Sequence, residues 1–476
     1  MKYINIIKKS LFSSVLIFFF SSQTLFLSAN PDQNKKVEEI NRLHDKARNL
    51  EVEVEKLKVE VQKSRDVRRS RLPGVSGGKV STGGYFGLGA YFDGSSLIVL
   101  QPKIHRDLGV LKGVQAMIKL DVAEWGDEAN NNTIPHIAIS GYVESQAQFQ
   151  DMNNSAIKLN NAELDFAGWV SKWMIGYTNF GFDDSQTPFS NFEMFLGFIT
   201  IGNLNYSDWF LTAGQLYAPF GYFLTEMSNI VPITRSIGRM KERTVKLGYY
   251  DKYLGHTLYL SGSVYRGKLQ NSFSHKEIDQ FATSLKIKKE WKHKHSRRGY
   301  DLTFSFTNNL AEADRLWDKL KNQNNFKLRR YAPGIEAAGN FTVGKTSFKI
   351  EYVNTLRNYA KFDLTQNGHA VKPRAYAYEI NYDTTFRNKP ITWAALYTSG
   401  NDIAVAIPYK KQYGVSTTWQ IYDYTLLSAE IANRKFYGKN TVIGGNALDP
   451  DAKSTLMKSF TGKNDKIVSF TIDVYF

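Results

Sequence analysis

From His136 onward the chain keeps returning to one pattern, an alternation of apolar and polar residues. Tyr300, Leu302, Phe304 and Phe306 alternate with Asp301, Thr303 and Ser305; Phe348, Ile350 and Tyr352 with Lys349 and Glu351; Val415, Trp419 and Ile421 with Ser416, Thr418 and Gln420. A period of two places successive side chains on opposite faces of an extended strand, so these strands carry charge on one side only. Candidate strands run over 137–149, 157–166, 173–182, 192–201, 209–215, 244–250, 257–265, 281–291, 300–306, 334–342, 346–354, 374–382, 391–398, 413–421, 424–433 and 467–476. That is about sixteen, each near the roughly ten residues that a tilted membrane-spanning strand needs.

The connections supply an independent test, because outer-membrane barrels alternate short turns at one end with long loops at the other. With 137–149 as the first strand, even-numbered strands end in short connections at 167–172, 202–208, 251–256, 344–345 and 422–423. Odd-numbered strands end in long ones at 217–243, 308–326, 356–373 and 436–465, the short 151–155 being the exception. A soluble sandwich has no reason to sort its loops in this way. The pattern predicts an all-β membrane protein, a single antiparallel transmembrane β-barrel of about sixteen strands over 136–476.

The stretch 468–476 alternates strictly, with Val468, Phe470, Ile472, Val474 and Phe476 on one face. An aromatic residue closing such a strand resembles the signal that ends bacterial outer-membrane barrels, and Ile472, Val474 and Phe476 carry it here. Taken alone, the same nine residues also suit the edge of a soluble sheet. The barrel reading predicts that this strand pairs with the one near Ile137 and turns Ser469, Thr471, Asp473 and Tyr475 towards water in a channel. The barrel-assembly machinery is then an expected partner.

The amino-terminal region reads differently. Lys2, Lys8 and Lys9 precede the apolar run 11–20, residues 25–27 extend it, and Ser28-Ala29 offer small residues for cleavage, so 1–29 is expected to be a signal peptide. No later apolar run is long enough for a spanning helix. Ile40, Leu43, Ala47, Leu50, Val54, Leu57 and Val61 are spaced by threes and fours, a heptad seam. Residues 30–71 are therefore expected to form a periplasmic coiled-coil helix that makes the chain a homo-oligomer; a single amphipathic helix lying on the barrel is the alternative. A basic run over 65–71 ends at Pro73-Gly74, a linker signature, and 72–135 reads as a linker and small folded insert with helical spacing over 108–119.

Charge narrows the chemistry. A net charge of +16 and a pI near 9.4 point to anionic surroundings or cargo: an acidic solute, or outer-membrane lipid and lipopolysaccharide, with nucleic acid excluded by export. The absence of Cys removes thiolate metal sites and Cys nucleophiles. The third external loop, 217–243, opens with Pro219, Phe220 and Gly221 and closes with Arg235, Arg239, Lys241 and Arg243. Folded into the aqueous lumen of a barrel this size, it would make a basic constriction that selects anions; a surface loop meeting lipopolysaccharide phosphate is the alternative. Lys286 and Lys288 share the inward parity of their strand. His293 and His295 are the only close histidine pair and lack a third ligand, and no glycine-rich phosphate cradle opens a helix. The expectation is a channel and not an enzyme, with no catalytic residue, cofactor or metal, and with no room for a separate plug domain.

Four stretches carry a family resemblance: Tyr91-Phe92-Asp93-Gly94-Ser95-Ser96-Leu97-Ile98-Val99, Asp107-Leu108-Gly109-Val110-Leu111, Ala162-Glu163-Leu164-Asp165-Phe166, and Gly214-Gln215-Leu216-Tyr217-Ala218-Pro219-Phe220-Gly221-Tyr222-Phe223. Together they resemble the LbtU-type siderophore porin family of intracellular bacterial pathogens. The resemblance implies a cell outer-membrane barrel behind a coiled coil that takes up ferric siderophore of the polycarboxylate type by facilitated diffusion. An anion- or phosphate-selective porin and a structural outer-membrane to cell-wall tether are the alternative readings.

Overall fold

The computed structural model describes residues 103–125, 136–152, 155–183, 192–223, 225–227, 229–271, 278–293, 296–320, 327–422 and 425–475. The expected signal peptide, the coiled coil, the basic linker and Phe476 lie outside these residues. Sixteen antiparallel strands close into one barrel: β1 (His136–Gln150), β2 (Ala156–Ser171), β3 (Met174–Asp183), β4 (Phe192–Gly202), β5 (Trp209–Tyr217), β6 (Lys241–Tyr253), β7 (His256–Tyr265), β8 (Gln280–His293), β9 (Ser296–Thr307), β10 (Gly334–Val343), β11 (Thr346–Thr355), β12 (Arg374–Phe386), β13 (Lys389–Asn401), β14 (Tyr409–Tyr422), β15 (Thr425–Phe436) and β16 (Asn464–Tyr475). Each pairs with its sequence neighbours, and β16 returns to β1 with Tyr475 opposite Tyr142 and Ile467 opposite Gln150. Every expected strand falls on one of these. Helices α1 (Arg106–Trp125), α2 (Ile233–Gly238) and α3 (Pro450–Ser459) complete the elements that matter for the site.

Alternation sorts the two faces as the pattern requires. Val245 and Leu247 on β6, Phe348 and Ile350 on β11, Val415 on β14, and Phe470, Ile472 and Val474 on β16 are exposed and form an outward apolar belt. The intervening Lys246, Glu351, Ser416, Ser469, Thr471 and Asp473 are buried, and Lys349 is largely so. So polar a buried face needs partners, and here they come from inside the cylinder.

The two ends differ. At one, short connections join the strands, and the two-residue turns Leu254-Gly255 and Arg387-Asn388 take the left-handed conformation that tight hairpins favour (φ 50°, 76°, 51° and 60°). Aromatic rings collect there, Trp173 against Tyr206 at 5.8 Å, Trp209 against Tyr249 at 4.9 Å and Phe386 against Trp419 at 5.3 Å, a girdle of the kind that marks an interface. At the other end the long connections fold together into a cap with its own apolar interior, burying Leu310, Leu328, Tyr359, Leu364, Ile403 and Leu448. Thr365 and Gln366 pair with Gly444 and Ile443 in a small sheet, and α3 begins where the Asp449 carboxylate accepts the N–H groups of Asp451 and Ala452.

Candidate functional site: an occupied lumen

The connection between β5 and β6 does not stay at the rim. Its neck closes where the Ala218 N–H donates to the Met240 carbonyl at 3.0 Å, and the turn at Pro219, Phe220 and Gly221 then carries the chain inward. Gly221 has φ +91°, and a Cβ there would lie 2.0 Å from the Phe223 ring, so the turn requires glycine. The segment next takes partners along the wall. Gly221 N–H donates to Ser305 Oγ (3.2 Å) and Tyr222 OH to Asp301 (3.2 Å) on β9, Phe223 N–H to Glu351 (2.8 Å) on β11, and Glu226 N–H to Glu379 (3.0 Å) on β12. Asn229 donates through its N–H to Glu430 on β15 (3.0 Å) and through its amide to Thr471 on β16 (2.8 Å). On the way back the Val231 carbonyl accepts from Gln412 (3.1 Å), Ile233 N–H donates to Thr398 (3.1 Å), and Thr234 on α2 donates its hydroxyl to Glu351. Because β5 and β13 lie opposite each other in a sixteen-strand cylinder, the segment crosses the lumen.

Carboxylates do most of this work. Glu351, Glu379 and Glu430 each accept a backbone N–H of the crossing segment, and a hydrogen bond to a charged acceptor contributes about 1.5–3 kcal/mol. The Lys349 ammonium, buried among them, bridges Glu226 at 2.8 Å and Glu379 at 3.1 Å. These partners keep several buried charges satisfied.

The rest of the lumen is held by α1. Leu108, Val110, Leu111 and Val114 are buried, and the wall they meet is apolar: Ile175 on β3, Leu196 and Phe198 on β4 and Phe210 on β5 belong to the same core. Each fully buried Val or Leu side chain contributes about 1.5–3 kcal/mol. Polar contacts fix the helix rotation. Asp107 and Lys246 form a fully buried ion pair at 2.8 Å, and the Thr212 hydroxyl donates to the second Asp107 oxygen at 3.2 Å. Arg106 lies over the Tyr177 ring at 5.8 Å and shares a buried nest with Asp165 and Glu163. His105 meets Tyr259 edge-on at 4.9 Å, and burial, with Lys246, Lys286 and Lys112 nearby, holds its imidazole well below the usual value. Gln115 donates to the Gly202 carbonyl and accepts the Leu204 N–H, both at 3.3 Å, which places this turn of the helix at the short-turn end. Lys112 lies 3.4 Å from the centre of the Tyr250 ring; burial first, then Lys252, Lys288 and Lys286, bring its ammonium down to about 7.

The residues expected to line a basic constriction are divided by this geometry. Arg235 is on α2, half-buried. Arg239 leaves the crossing segment for the cap, paired with Asp314 at 2.9 Å and lying over Tyr217 at 5.0 Å. Lys241 and Arg243 belong to β6, not to a loop, and share the outward parity of Val245 and Leu247; as part of a lumen ring they are corrected, because strand alternation turns them away from it. Lys286 and Lys288 face inward as expected, each held by a carboxylate, Asp301 at 2.9 Å and Glu290 at 2.8 Å. Ser469 and Thr471 also face inward, but Asn229 covers them, so they do not meet open channel water. Where the crossing segment meets the far wall, the charges are mainly carboxylates. Asp107, Lys246 and the Glu351, Glu379 and Glu430 acceptors are the residues that sequence reasoning missed. One signal for the helix was present: β4 is apolar on both faces, Leu196 and Phe198 inward and Ile199 and Ile201 outward, which requires an apolar body inside the barrel. Among the described residues no group of three or more His, Cys, Asp or Glu side chains is arranged to hold a metal ion.

No family model matches the chain. It is similar to a UPF0422 protein of Coxiella burnetii, 24% identical over 440 residues, covering 90% of this chain and 92% of that one. A UPF0422 protein of Legionella pneumophila strain Lens is 25% identical over 431 residues, covering 84% and 77%. Among solved structures the chain is similar to the outer-membrane channel DcaP of Acinetobacter baumannii (TM-score 0.42, 14% identity, 72% of this chain and 97% of that one). It is likewise similar to the outer-membrane protein OmpT of Vibrio cholerae in its trimer form, with a TM-score of 0.42 and 9% identity over 72% of this chain and 99% of that one.

Proposed function

We propose that the chain is an outer-membrane channel, closed at rest, that admits an anionic solute from the capped end, and that this solute is a ferric complex of a polycarboxylate siderophore. The observation that carries the channel reading is the closed cylinder with an outward apolar belt whose lumen is crossed by 218–240 on hydrogen bonds rather than filled by a covalent or all-apolar core. Such contacts can be exchanged one at a time for contacts with a polar solute. Passage is facilitated diffusion: no step makes or breaks a covalent bond, and the crossing segment and α1 move aside. Arg235, Arg239, Lys286 and Lys288 are the candidate contacts for carboxylates of the solute on its way. The nature of the solute rests on the family resemblance and on the net charge of +16.

One observation favours a second reading. Inward carboxylates such as Glu144, Glu163, Glu336, Glu430 and Asp473 would favour cations if the path opened beside them. Two measurements separate the readings. Reversal potential in a salt gradient across planar bilayers gives the sign of the charge that the opened channel prefers, and uptake of labelled ferric citrate by cells lacking the protein gives the solute. Normal uptake under iron limitation, or a clear cation preference, overturns the siderophore reading.

A further inference from the structure

The cap carries a feature that the lumen does not explain. Arg329, Arg330, Arg357 and Lys361 are all exposed, and they come from two connections, 308–333 and 356–373, that hold each other by a reciprocal latch. Arg330 donates one terminal N–H to the Asn358 carbonyl at 3.2 Å, and Arg357 donates its Nε–H to the Tyr331 carbonyl at 2.7 Å. Each guanidinium has five N–H donors in a fixed fork, so a latch that uses one of them orients the fork and leaves the rest to solvent. The Arg329 guanidinium is stacked 3.8 Å from the centre of the Phe362 ring, itself 46% exposed, which leaves its edge donors open. No carboxylate among the described residues is ion-paired with any of the four; the buried Asp363 accepts the Arg329 backbone N–H at 2.9 Å and feels the charges of Arg329 and Arg330.

The patch stands on a rigid base. Asn446 N–H donates to the Phe362 carbonyl at 2.8 Å and Ala447 N–H to the Asp363 carbonyl at 3.0 Å, so residues of the β15–β16 connection hold the patch from across the mouth. Tyr359, Leu328 and Leu364 beneath it are buried. Three oriented guanidinium groups beside one ammonium, with the single buried Asp363 carboxylate beneath Arg329 and Arg330, keep an excess of positive charge that matches a ligand carrying several oxyanion groups.

We infer that Arg329, Arg330, Arg357 and Lys361, with the Phe362 face, form an outer capture site for a soluble polycarboxylate anion, the first stop before the lumen. This rests on the reading of the chain as an anion uptake channel, and it adds where the ligand is recognised. Arg329 and Lys361 take no part in the latch, so substituting them tests recognition without loosening the cap.

The test uses the full chain in detergent micelles and measures ferric citrate binding by equilibrium dialysis. Wild type is expected to bind, and Arg329→Gln with Lys361→Gln is expected to weaken binding roughly tenfold or more, since two charge-assisted contacts are removed, while the thermal transition stays unchanged. Lys replacement at Arg329 should recover only part of the affinity, because a point charge does not reproduce the fork. Unchanged affinity in the double variant overturns the proposal, and so does a double variant that loses binding only to vesicles containing lipid A phosphate while ferric citrate binding persists. Because the channel is closed at rest, salt conductance is read with Asp107→Ala added to release α1: conductance kept with binding lost in the double variant supports the capture site, whereas absent conductance in the Asp107→Ala protein strikes the channel reading and leaves the binding result standing on its own.

Discussion

The wall of this barrel holds two different occupants by two different kinds of force. The arc β3–β5 turns Ile175, Leu196, Phe198 and Phe210 inward and holds α1 as a soluble core holds a helix, by removing apolar surface from water. The arc β9–β16 turns mainly carboxylates, hydroxyls and amides inward and holds 218–240 by accepting its backbone donors, with a smaller apolar contact of Met227 and Ile230 on Ala377, Ala394, Leu396 and Ala432. Apolar burial is non-directional and is lost gradually as the helix slides; hydrogen bonds to carboxylates are directional and are lost one by one. One half of the lumen is therefore built to keep its occupant and the other to exchange contacts.

The sharpest way to break this comparison is the buried Asp107–Lys246 ion pair on the apolar side. Asp107→Ala leaves the Lys246 ammonium buried without a partner, at a cost of about 3–5 kcal/mol, and is expected to release α1 and give a large rise in conductance in planar bilayers. Pairing Asp107→Leu with Lys246→Met is expected to restore low conductance, which separates loss of the pair from an unpaired charge. On the polar side, Glu379→Ala removes the acceptor of Glu226 N–H and one partner of Lys349; about 2–3 kcal/mol is lost, and the expected outcome is frequent brief openings rather than a stable open state. Gly221→Ala forces a side chain onto a left-handed turn against the Phe223 ring, a strain of about 1–3 kcal/mol, and is expected to raise the frequency of the same openings with no change in their size.

Docking of α1 also depends on pH. Docked α1 favours the neutral Lys112 amine, with a pKa of about 7 against the ordinary 10.5, whereas released α1 binds its proton at the ordinary value. Docking therefore weakens as pH falls from about 10.5 towards 7 and changes little below that. Conductance recorded from pH 10 to pH 6 is expected to rise over the upper part of this range in wild type and to stay flat there in Lys112→Met.

The strands were readable in the sequence because a barrel wall faces two unlike media, and that contrast is written into consecutive residues. The same alternation foretold the β1–β16 seam and the inward parity of Lys286 and Lys288. What could not be read are contacts between residues far apart in the chain: Phe223 finds Glu351 and Thr225 finds Glu379 at separations of 128 and 154 residues. No local pattern marks a carboxylate as an acceptor for a particular amide. The placement of Lys241 and Arg243 failed for a different reason. Charge at the end of a strand looks like a loop, although alternation with the buried Glu242 and Thr244 continues through it.

The seam has a consequence for how the molecule can be made. All other ladders in the cylinder join strands that follow one another along the chain, so each can zip soon after its second strand appears. Only β1 with β16 joins strands from opposite ends of the barrel sequence. Until those two meet, the sheet is an open ribbon with two bare edges. The segment 218–240, tied to the wall at both ends, can settle while the ribbon is still open; α1 is tied to β1 from one side alone and either lies down on β3–β5 before closure or must thread in through an end afterwards. The order of assembly is thus written into which occupant has one tether and which has two.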